Sequence, residues 1–598
     1  MMKKWQTTVA LLLLQSTVVY AQPETTAPVF TAAPETVATP QPGSPGPESM
    51  ESLDSAPVLA AVGIPAAGNA SSGSSIFGIS ASQVTADLQQ RLQLEPQPQS
   101  LQAGTTELLQ LPLVLDFYRR RGYQPAWIND AGKPSQLAEQ LSQAIDDSVQ
   151  DGLRPTFYNF DDFRTAMRSL KIAFAPTPRQ LSDFDLLLTD TYFQLADHLV
   201  TGRLEPSQVE EYWKLKPRQI DLVGNLQQAV VKRDILASLS ALSSPHAGYA
   251  RLRQALSDYR QLAANGGWPA VNSTEKLELG SRGVAVQQLR ARLRASGDLS
   301  GPDAVDPAYF DAILQDAVVH FQERHGLTAD GVVGPNTLRT LNVPIAQRIR
   351  AMELNLERWR WLPETLGERY IEVNIPGYQL RLVEQGEDKL KARVIVGRSK
   401  RPTPIFSADM SYLVFSPYWY VPRTIMVEDK LPILRKNPYA LRKQGIRIFS
   451  GNREIDPGSV NWSNVSKRSF SYSMRQDPGK YNALGDIKFM FPNQHSVYIH
   501  DTSSPRLFER DQRAFSSGCV RIDSPVELAE YLLRDTKWDR DTIVKASQRG
   551  RERRVDLQTK VPVYMLYWTS WVDSDGTVQF RDDIYDRDTA LAQALFSS

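Results

Sequence analysis

A single cysteine, Cys519, occurs in a chain of 598 residues, and it limits what this chain can build. It cannot form an intramolecular disulfide or a metal site with several thiolate ligands. A lone thiol is usually a small buried hydrophobic group. Here it follows Ser516-Ser517-Gly518, residues too small and polar for a core strand, which leave the backbone free to approach a substrate. The sequence therefore favours a reactive cysteine over a structural one.

The residues after the cysteine predict the start of a helix. Ser524, Pro525 and Glu527 match an N-cap serine, a proline in the first turn and the glutamate of a capping box. Cys519 would then lie just ahead of a helix N-terminus, where backbone N–H groups and the helix dipole favour a thiolate.

His500 is the predicted partner of the thiol. Val497 and Ile499 alternate with Tyr498 and His500, a pattern typical of a strand with Tyr498 and His500 on one face. A thiol needs a base or a cation to become a useful nucleophile, and imidazole titrates in the right pH range. The two residues together predict nucleophilic catalysis by cysteine.

A family resemblance rests on these residues. His500, a polar loop and Ser517-Gly518-Cys519-Val520-Arg521 resemble the signature of the YkuD-type L,D-transpeptidases. The longer run from Asn482 to Thr502 is similar to the large periplasmic members, and the resemblance extends from about residue 100 to the C-terminus. It implies a multidomain α+β protein: a mainly β YkuD-type catalytic domain with flanking helices, an α-helical scaffold and a three-helix peptidoglycan-binding module.

The N-terminal residues predict the compartment. Residues 1–21 have the pattern of a secretory signal peptide: two lysines, an apolar run from Val9 to Val19, and small residues that allow cleavage after Ala21. The run is shorter than the roughly 20 residues that cross a bilayer, so an uncleaved inner-membrane anchor is the less favoured alternative. The predicted location is the periplasm.

Residues 22–81, rich in Pro, Ala, Thr, Ser and Gly, predict a disordered linker.

The remaining domain boundaries follow from changes in sequence pattern. Apolar residues at helical spacing over 82–272 predict a helical scaffold domain. Two helices, an Asp-Gly turn and a short helix over 273–343 resemble the peptidoglycan-binding module, and 344–365 predicts a helix that returns to the scaffold. Alternating strand patterns begin the catalytic domain, which is predicted to span 366–598.

An insertion within the predicted catalytic domain, residues 423–479, is strongly basic. It has eleven Lys or Arg residues against five Asp or Glu, whereas the whole chain has a net charge of +1. That overall balance gives no argument for nucleic-acid binding. The insertion is either an ordinary solvated surface or a lobe over the active site that attracts carboxylates, and the resemblance favours a substrate-capping lobe.

The resemblance also implies a role for each residue of the motif. Cys519 attacks a donor stem peptide and His500 transfers protons, without a metal or an organic cofactor. The backbone N–H groups of Gly518 and Cys519 are candidate donors to the oxyanion. The backbone carbonyl of Asp501, rather than its carboxylate, orients the imidazole. The residues expected to contact substrate are Arg521, which binds a carboxylate, and Tyr498, Ser517 and Trp419.

The implied product is a 3→3 peptidoglycan cross-link, formed when a second stem peptide supplies an amine to the thioester. Attack by water would instead make the protein a cysteine carboxypeptidase or endopeptidase, and attack by a protein lysine would make it a lipoprotein-anchoring enzyme. A cell-wall module joined to an inactive catalytic domain would be a binding protein. The expected partners are stem peptides, carbapenem β-lactams as inhibitors, and other proteins of cell-wall synthesis and cell shape.

Overall fold

The computed structural model describes residues 81–211, residue 213 and residues 215–596. The predicted signal peptide, 1–21, and all but the last residue of the predicted linker, 22–81, lie outside the described residues. The described part is a mixed α+β protein with a helical N-terminal region, a small helical module and a β-rich C-terminal domain. None of the helices in this part is long and apolar enough to cross a membrane.

Helices fill the first half of the described chain and recur around the C-terminal sheet. In chain order they are α1 (Ala81–Leu92), α2 (Leu111–Arg120), α3 (Gln136–Asp147), α4 (Phe160–Ile172), α5 (Pro178–Thr201), α6 (Leu222–Lys232), α7 (Ile235–Ser240), α8 (Ala247–Ala264), α9 (Val284–Ala295), α10 (Ala312–Arg324), α11 (Pro335–Leu341), α12 (Ile345–Arg360), α13 (Arg423–Ile425), α14 (Leu431–Lys436), α15 (Pro525–Leu532), α16 (Arg540–Ser547) and α17 (Arg587–Phe596).

Helix α5 forms the centre of the helical region because it is buried along most of its length. Thr177 and Gln180 form a capping box at its N-terminus, which satisfies backbone donors there. Phe117 and Tyr118, part of an apolar stripe on α2, are fully buried in the same core. The Tyr118 hydroxyl donates to the buried carboxyl group of Asp185 on α5 at 2.5 Å. Packing and satisfied polar groups therefore hold the helices together.

The segment predicted to return to the scaffold, 344–365, contains α12. Its Arg360 is fully buried, pairs with Glu357 at 2.6 Å and donates to the Asp151 carbonyl at 2.7 Å. A buried charge of this kind requires a partner and hydrogen bonds, and Arg360 has both. The helix is thereby fixed to the helical region that precedes it.

In the part of the chain that the structure describes, the strands build a large C-terminal sheet and three smaller sheets. In chain order they are β1 (Gln102–Ala103), β2 (Thr106–Glu107), β3 (Arg369–Asn374), β4 (Gln379–Glu384), β5 (Glu387–Gly397), β6 (Phe406–Phe415), β7 (Trp419–Tyr420), β8 (Ile446–Ser450), β9 (Arg453–Glu454), β10 (Tyr472–Gln476), β11 (Ile487–Met490), β12 (Ile499–His500), β13 (Ala514–Ser516), β14 (Val520–Ile522), β15 (Arg553–Leu566), β16 (Ser570–Val572) and β17 (Val578–Phe580).

The large sheet has nine strands in the order β13-β5-β14-β12-β11-β6-β15-β3-β4, and β5 also pairs with β4, which closes the sheet on itself. Strand β12 lies between β11, which is antiparallel to it, and β14, which is parallel to it. Buried residues of these strands pack in one core with α15 and α16. The middle of this sheet therefore carries the segment that contains both His500 and the cysteine motif.

The basic insertion folds as a lobe with its own sheet and core. Strands β8, β9 and β10 lie within it, and β10 pairs with β7 just before it. Leu434, Trp462 and Met474 are buried in the lobe core, which Trp419 and Leu484 of the flanking segments complete. We refer to residues 423–479 as the capping lobe.

The end of the chain packs back onto the helices. Strands β16 and β17 form a hairpin whose Val572 and Phe580 share a core with Tyr249 of α8 and Met352 of α12. Helix α17 contributes Leu595 to a second cluster beside α12. The predicted catalytic range, 366–598, therefore includes a segment that joins the sheet to the helical region.

Candidate active site

Two parallel strands at the centre of the large sheet position the site. Ile499 of β12 pairs with Val520 of β14, and both are fully buried in the core. Because side chains alternate along a strand, their neighbours emerge on the other face. The side chains on that face are Tyr498, His500, Cys519 and Arg521, and all four line one cavity of about 1080 Å³. The sheet thus brings together the predicted nucleophile and base.

His500 is held as a neutral imidazole. Its Nδ1 makes a short hydrogen bond with the backbone carbonyl of Asp501. Since a carbonyl only accepts, Nδ1 carries the proton and Nε2 keeps its lone pair. Burial lowers the pKa of His500 to about 3, helped by the positive charges of Arg521 and Lys488 and opposed by the backbone carbonyl of Asp501. At neutral pH this imidazole can therefore accept a proton.

The carboxylate of Asp501 has a different task from its carbonyl. Its Oδ2 accepts from the Asp486 N–H at 2.8 Å, and its Oδ1 accepts from the Thr502 N–H at 2.7 Å. Gly485 has a φ of +62°, and a Cβ there would collide with this carboxylate. The Asp501 side chain therefore organises the turn before β11 and does not orient the imidazole.

The thiol of Cys519 is enclosed by the segment that precedes His500. Its Sγ lies 3.8 Å from the carbonyl oxygen of Ser496, whose φ of +54° is in the left-handed region. Tyr498 lines the same cavity as the thiol, and its backbone carbonyl accepts from the Val520 N–H at 3.1 Å. Burial raises the pKa of Cys519, while Tyr498 and the charges of Lys488 and Arg521 act in the opposite direction. Formation of the Cys519 thiolate therefore depends on Tyr498, Lys488 and Arg521.

The prediction that Cys519 lies at a helix N-terminus is wrong. Strand β14 follows the cysteine, and α15 begins only at Pro525. The predicted capping box does not form, since Ser524 makes no cap hydrogen bond and its hydroxyl donates to the Asp523 carboxylate at 2.7 Å. Pairing of β14 with its neighbours takes precedence over the local helix signal. Burial accordingly raises the pKa of Cys519.

Hydrogen bonds fix the backbone beside the thiol. Gly518 has a φ of +113°, and its N–H donates to Ser516 Oγ at 3.0 Å. The Ser516 hydroxyl donates in turn to the Cys519 carbonyl at 2.5 Å, and Thr403 Oγ1 donates to the Gly518 carbonyl at 2.8 Å. Of the two predicted oxyanion donors, the Gly518 N–H is thus already engaged, which leaves the N–H of Cys519.

The predicted substrate-contact residues differ in their surroundings. Arg521 lines the cavity, and within the described residues its buried Nε has no hydrogen-bond partner. Ser517 is exposed and accepts from Arg401 at 2.9 Å. Trp419 is mostly buried, contributes to both the lobe core and the cavity wall, and has the Lys430 ammonium 5.9 Å from its ring centroid. Arg521 is therefore a cation that a substrate carboxylate could pair with.

An ion-pair network joins the capping lobe to the cysteine loop. Arg401, in the loop between β5 and β6, binds Asp429 at 2.7 Å and Glu428 at 2.6 Å, and both carboxylates belong to the lobe. Arg398 contacts Asp429 at 3.2 Å. Because Arg401 also donates to Ser517, it links the lobe to the loop that carries the thiol. Sequence analysis missed Arg401, since no local pattern marks a residue whose partners are distant along the chain.

Many of the lobe's cations are used inside the lobe. Three arginines pair with nearby carboxylates and two donate to backbone carbonyls; they are Arg442, Arg447, Arg475, Arg423 and Arg435. Lys430 and Lys443 of the lobe line the cavity, together with Lys480 just beyond it. Attraction of carboxylates by the lobe would therefore depend on these three lysines and not on its total charge.

Replacing Lys430, Lys443 and Lys480 with glutamine is expected to slow acylation of Cys519 by a carbapenem, which carries a carboxylate. The expected loss is about tenfold at low ionic strength and smaller at high salt, because exposed charges are screened within about 8 Å at physiological ionic strength. The measurement is the acylation rate by intact-protein mass spectrometry at several salt concentrations.

The matched control replaces Lys436, Arg453 and Arg468, exposed cations of the lobe outside the cavity wall, with glutamine. It removes the same charge and should leave the rate nearly unchanged. If the two triple variants were acylated at equal rates at every salt concentration, the positive charge at the cavity wall would have no specific effect on carboxylate capture.

Three family models match separate parts of the chain. The model described as "L,D-transpeptidase catalytic domain" (YkuD) matches residues 368–561, which include the whole cavity motif. The chain contains an L,D-transpeptidase catalytic domain. A model described as "Putative peptidoglycan binding domain" matches residues 282–341, which span α9 to α11 of the small helical module. A model described as "Scaffold domain" matches residues 112–256 in the helical region.

Known proteins similar to this chain include some named as L,D-transpeptidases. A curated Haemophilus influenzae protein named "Putative L,D-transpeptidase" is 34% identical over 246 residues, which cover 40% of this chain and 49% of that protein. The chain therefore spans about half the length of this relative. An L,D-transpeptidase structure from Stackebrandtia nassauensis is 14% identical, covers 50% of this chain and 96% of its own, and has a TM-score of 0.21.

A second solved structure, an L,D-transpeptidase from Xylanimonas cellulosilytica, is 16% identical and covers 49% of this chain and 99% of its own, with a TM-score of 0.17. Both structural similarities are too low to support an argument about this chain. The L,D-transpeptidase domain is instead assigned from the family model, and its site is described by the contacts given above.

Proposed function

We propose that this protein forms 3→3 cross-links between peptidoglycan stem peptides through a thioester on Cys519. The observation that carries the proposal is that Cys519, His500 and Arg521 line one cavity, with His500 oriented by the backbone carbonyl of Asp501. A nucleophile, a proton acceptor and a cation for a carboxylate are the parts that acyl transfer from a peptide needs.

In the acylation step, the sulfur of Cys519 attacks the carbonyl carbon between the third and fourth residues of a donor stem peptide. His500 Nε2 takes the thiol proton, and the N–H of Cys519 stabilises the oxyanion. Collapse of the tetrahedral intermediate breaks the C–N bond. His500 returns its proton to the departing amine of the terminal D-alanine, and a thioester remains.

In the transfer step, the side-chain amine of a second stem peptide attacks the thioester carbon. His500 takes a proton from that amine and returns it to the Cys519 sulfur as the C–S bond breaks and the new amide forms. Arg521 holds a substrate carboxylate during both steps, and Tyr498 and Trp419 shape the pocket. No metal or organic cofactor takes part in this sequence.

The other domain matches agree with a cell-wall substrate. A peptidoglycan-binding domain in the same chain would keep the catalytic cavity near its polymer and raise the local concentration of stem peptides. We infer a periplasmic location, with residues 1–21 acting as the export signal and 22–81 as a tether. Carbapenems, which carry a carboxylate and a reactive carbonyl, would acylate Cys519.

The test is to incubate the purified protein with tetrapeptide-bearing disaccharide muropeptides and to follow the products by mass spectrometry. A dimer with loss of one D-alanine, whose fragmentation places the new bond between third residues, is the expected result. Tripeptide monomers alone would indicate a carboxypeptidase, because water would then be the acceptor. A bound but unaltered substrate would indicate a peptidoglycan-binding protein and overturn the proposal.

A further inference from the structure

Lys488 lies in a row of basic groups on the cavity face of the sheet. It is in β11 between Ile487 and Phe489, which are buried in the core, so its side chain emerges on the opposite face. Lys488 pairs with His500 across β11 and β12, and His500 pairs with Arg521 across β12 and β14. Three neighbouring strands thus present Lys488, His500 and Arg521 side by side.

Tyr498 connects Lys488 to the cavity that holds the thiol. The Lys488 Nζ lies 3.9 Å from the centroid of the Tyr498 ring, well within the range of a cation–π interaction. The backbone carbonyl of the same tyrosine accepts from the N–H of Val520, the residue after Cys519, at 3.1 Å, and Tyr498 and Cys519 line the same cavity. The ammonium is therefore held against an aromatic ring that lines the same cavity as the thiol.

We propose that Lys488 is a positioning residue for Cys519. The ammonium group of Lys488, held against the Tyr498 ring, favours the thiolate form of Cys519. Together with Arg521 it provides positive charge beside the thiolate, in addition to the proton that His500 takes from the thiol during acylation. The inference rests on the proposed role of Cys519 as the nucleophile.

The electrostatics of the site require such a counter-charge. Burial works against the thiolate, and His500 is neutral over the physiological range because its pKa is lowered to about 3. Burial also lowers the pKa of Lys488, and the Cys519 thiolate opposes this more strongly than Glu552 does. The titratable groups around the pair include Tyr498 just before β12, His500 of β12, Arg521 of β14, Glu552 after α16, His495 before β12 and Lys430 of the lobe.

The test reads the ionisation of Cys519 directly. Because Cys519 is the sole cysteine, iodoacetamide alkylation followed by intact-protein mass spectrometry reports this one thiolate as a function of pH. Lys488→Met is expected to move the alkylation midpoint upward by about one pH unit, which corresponds to about tenfold slower alkylation at pH 7. Lys488→Arg, which keeps the charge, should restore most of the rate.

The control variant is Lys545→Met, which removes an exposed lysine of α16 and should leave the midpoint unchanged. Circular dichroism checks the fold, and Lys488→Gln replaces the methionine variant if that variant does not fold. An unshifted midpoint in a folded Lys488→Met or Lys488→Gln protein would overturn the inference. Equal shifts in the methionine and arginine variants would also overturn it, because packing and not charge would then be responsible.

This readout is independent of peptidoglycan chemistry. If the wild-type protein makes no cross-links but alkylation shows the expected shift, the proposed function fails and the inference about Lys488 stands. If cross-links form and no shift occurs, the proposed function stands and the thiolate is stabilised by other groups.

Discussion

Replacing Cys519 with alanine is expected to abolish formation of 3→3 dimers and of any covalent carbapenem adduct. The chain has no other cysteine that could substitute as the nucleophile. The remaining groups of the cavity can bind a donor peptide, but they cannot form the thioester on which transfer depends. The measurements are the muropeptide products and the intact mass of the protein after exposure to a carbapenem.

The fold should survive this substitution. Cys519 is only partly buried, and alanine removes a single sulfur atom beside Tyr498 and the Ser496 carbonyl. A change in the free energy of unfolding of about 1 kcal/mol or less is expected. The Cys519→Ser variant is a useful companion, because it keeps a polar group of similar shape but a much weaker nucleophile. Dimer formation by well-folded Cys519→Ala protein would contradict the assignment of Cys519.

The local structure around His500 and Cys519 could be predicted because its signals are local. The alternation of Val497 and Ile499 with Tyr498 and His500 follows from strand geometry alone, and both aliphatic residues are buried in the sheet core as expected. The small residues before Cys519 likewise mark a backbone that needs unusual freedom, and Gly518 has a positive φ. The fold class implied by the family resemblance is also confirmed, and helical and strand periodicities occupy separate parts of the sequence in agreement with it.

The surroundings of the motif were not predictable, because they depend on strand order. Lys488 is unremarkable in the sequence until the register of β11 against β12 places it beside His500. A helix does begin at Pro525, as the sequence predicts. It does not begin next to Cys519, however, since β14 lies between them. The prediction that a helix dipole favours the Cys519 thiolate followed from that error.

The charge of the capping lobe illustrates the same limit. Counting residues gives a strongly basic segment, but a count does not show that Arg447 binds Asp477 at 3.0 Å or that Arg435 donates to the Val465 carbonyl at 2.6 Å. Only the folded lobe shows which cations are satisfied internally and which line the cavity. The acidic pair Glu428 and Asp429 also proves to be the contact with Arg401 of the catalytic sheet.

Replacing His500 with alanine is expected to slow acylation of Cys519 by a carbapenem by about 10²- to 10⁴-fold, the usual contribution of a positioned general base. The imidazole of the parent protein is neutral from pH 6 to pH 8, because its pKa is lowered to about 3. The parent's rate should therefore rise with pH over this range as the thiol ionises, with no loss from protonation of His500 near pH 6.5. The variant should be slower at every pH and should keep the same upward trend.

A second histidine of the cavity provides the matched control for this prediction. His495 packs against Phe406, with ring centroids 5.0 Å apart, and His495→Ala should change the acylation rate by no more than a few-fold. Acylation rates followed by intact-protein mass spectrometry at pH 6, 7 and 8 compare the three proteins. Equal rates for His500→Ala and the parent across this range would make His500 a structural residue. In that case the thiol proton would have to be transferred to solvent, and the hydrogen bond from His500 to the Asp501 carbonyl would have only a structural role.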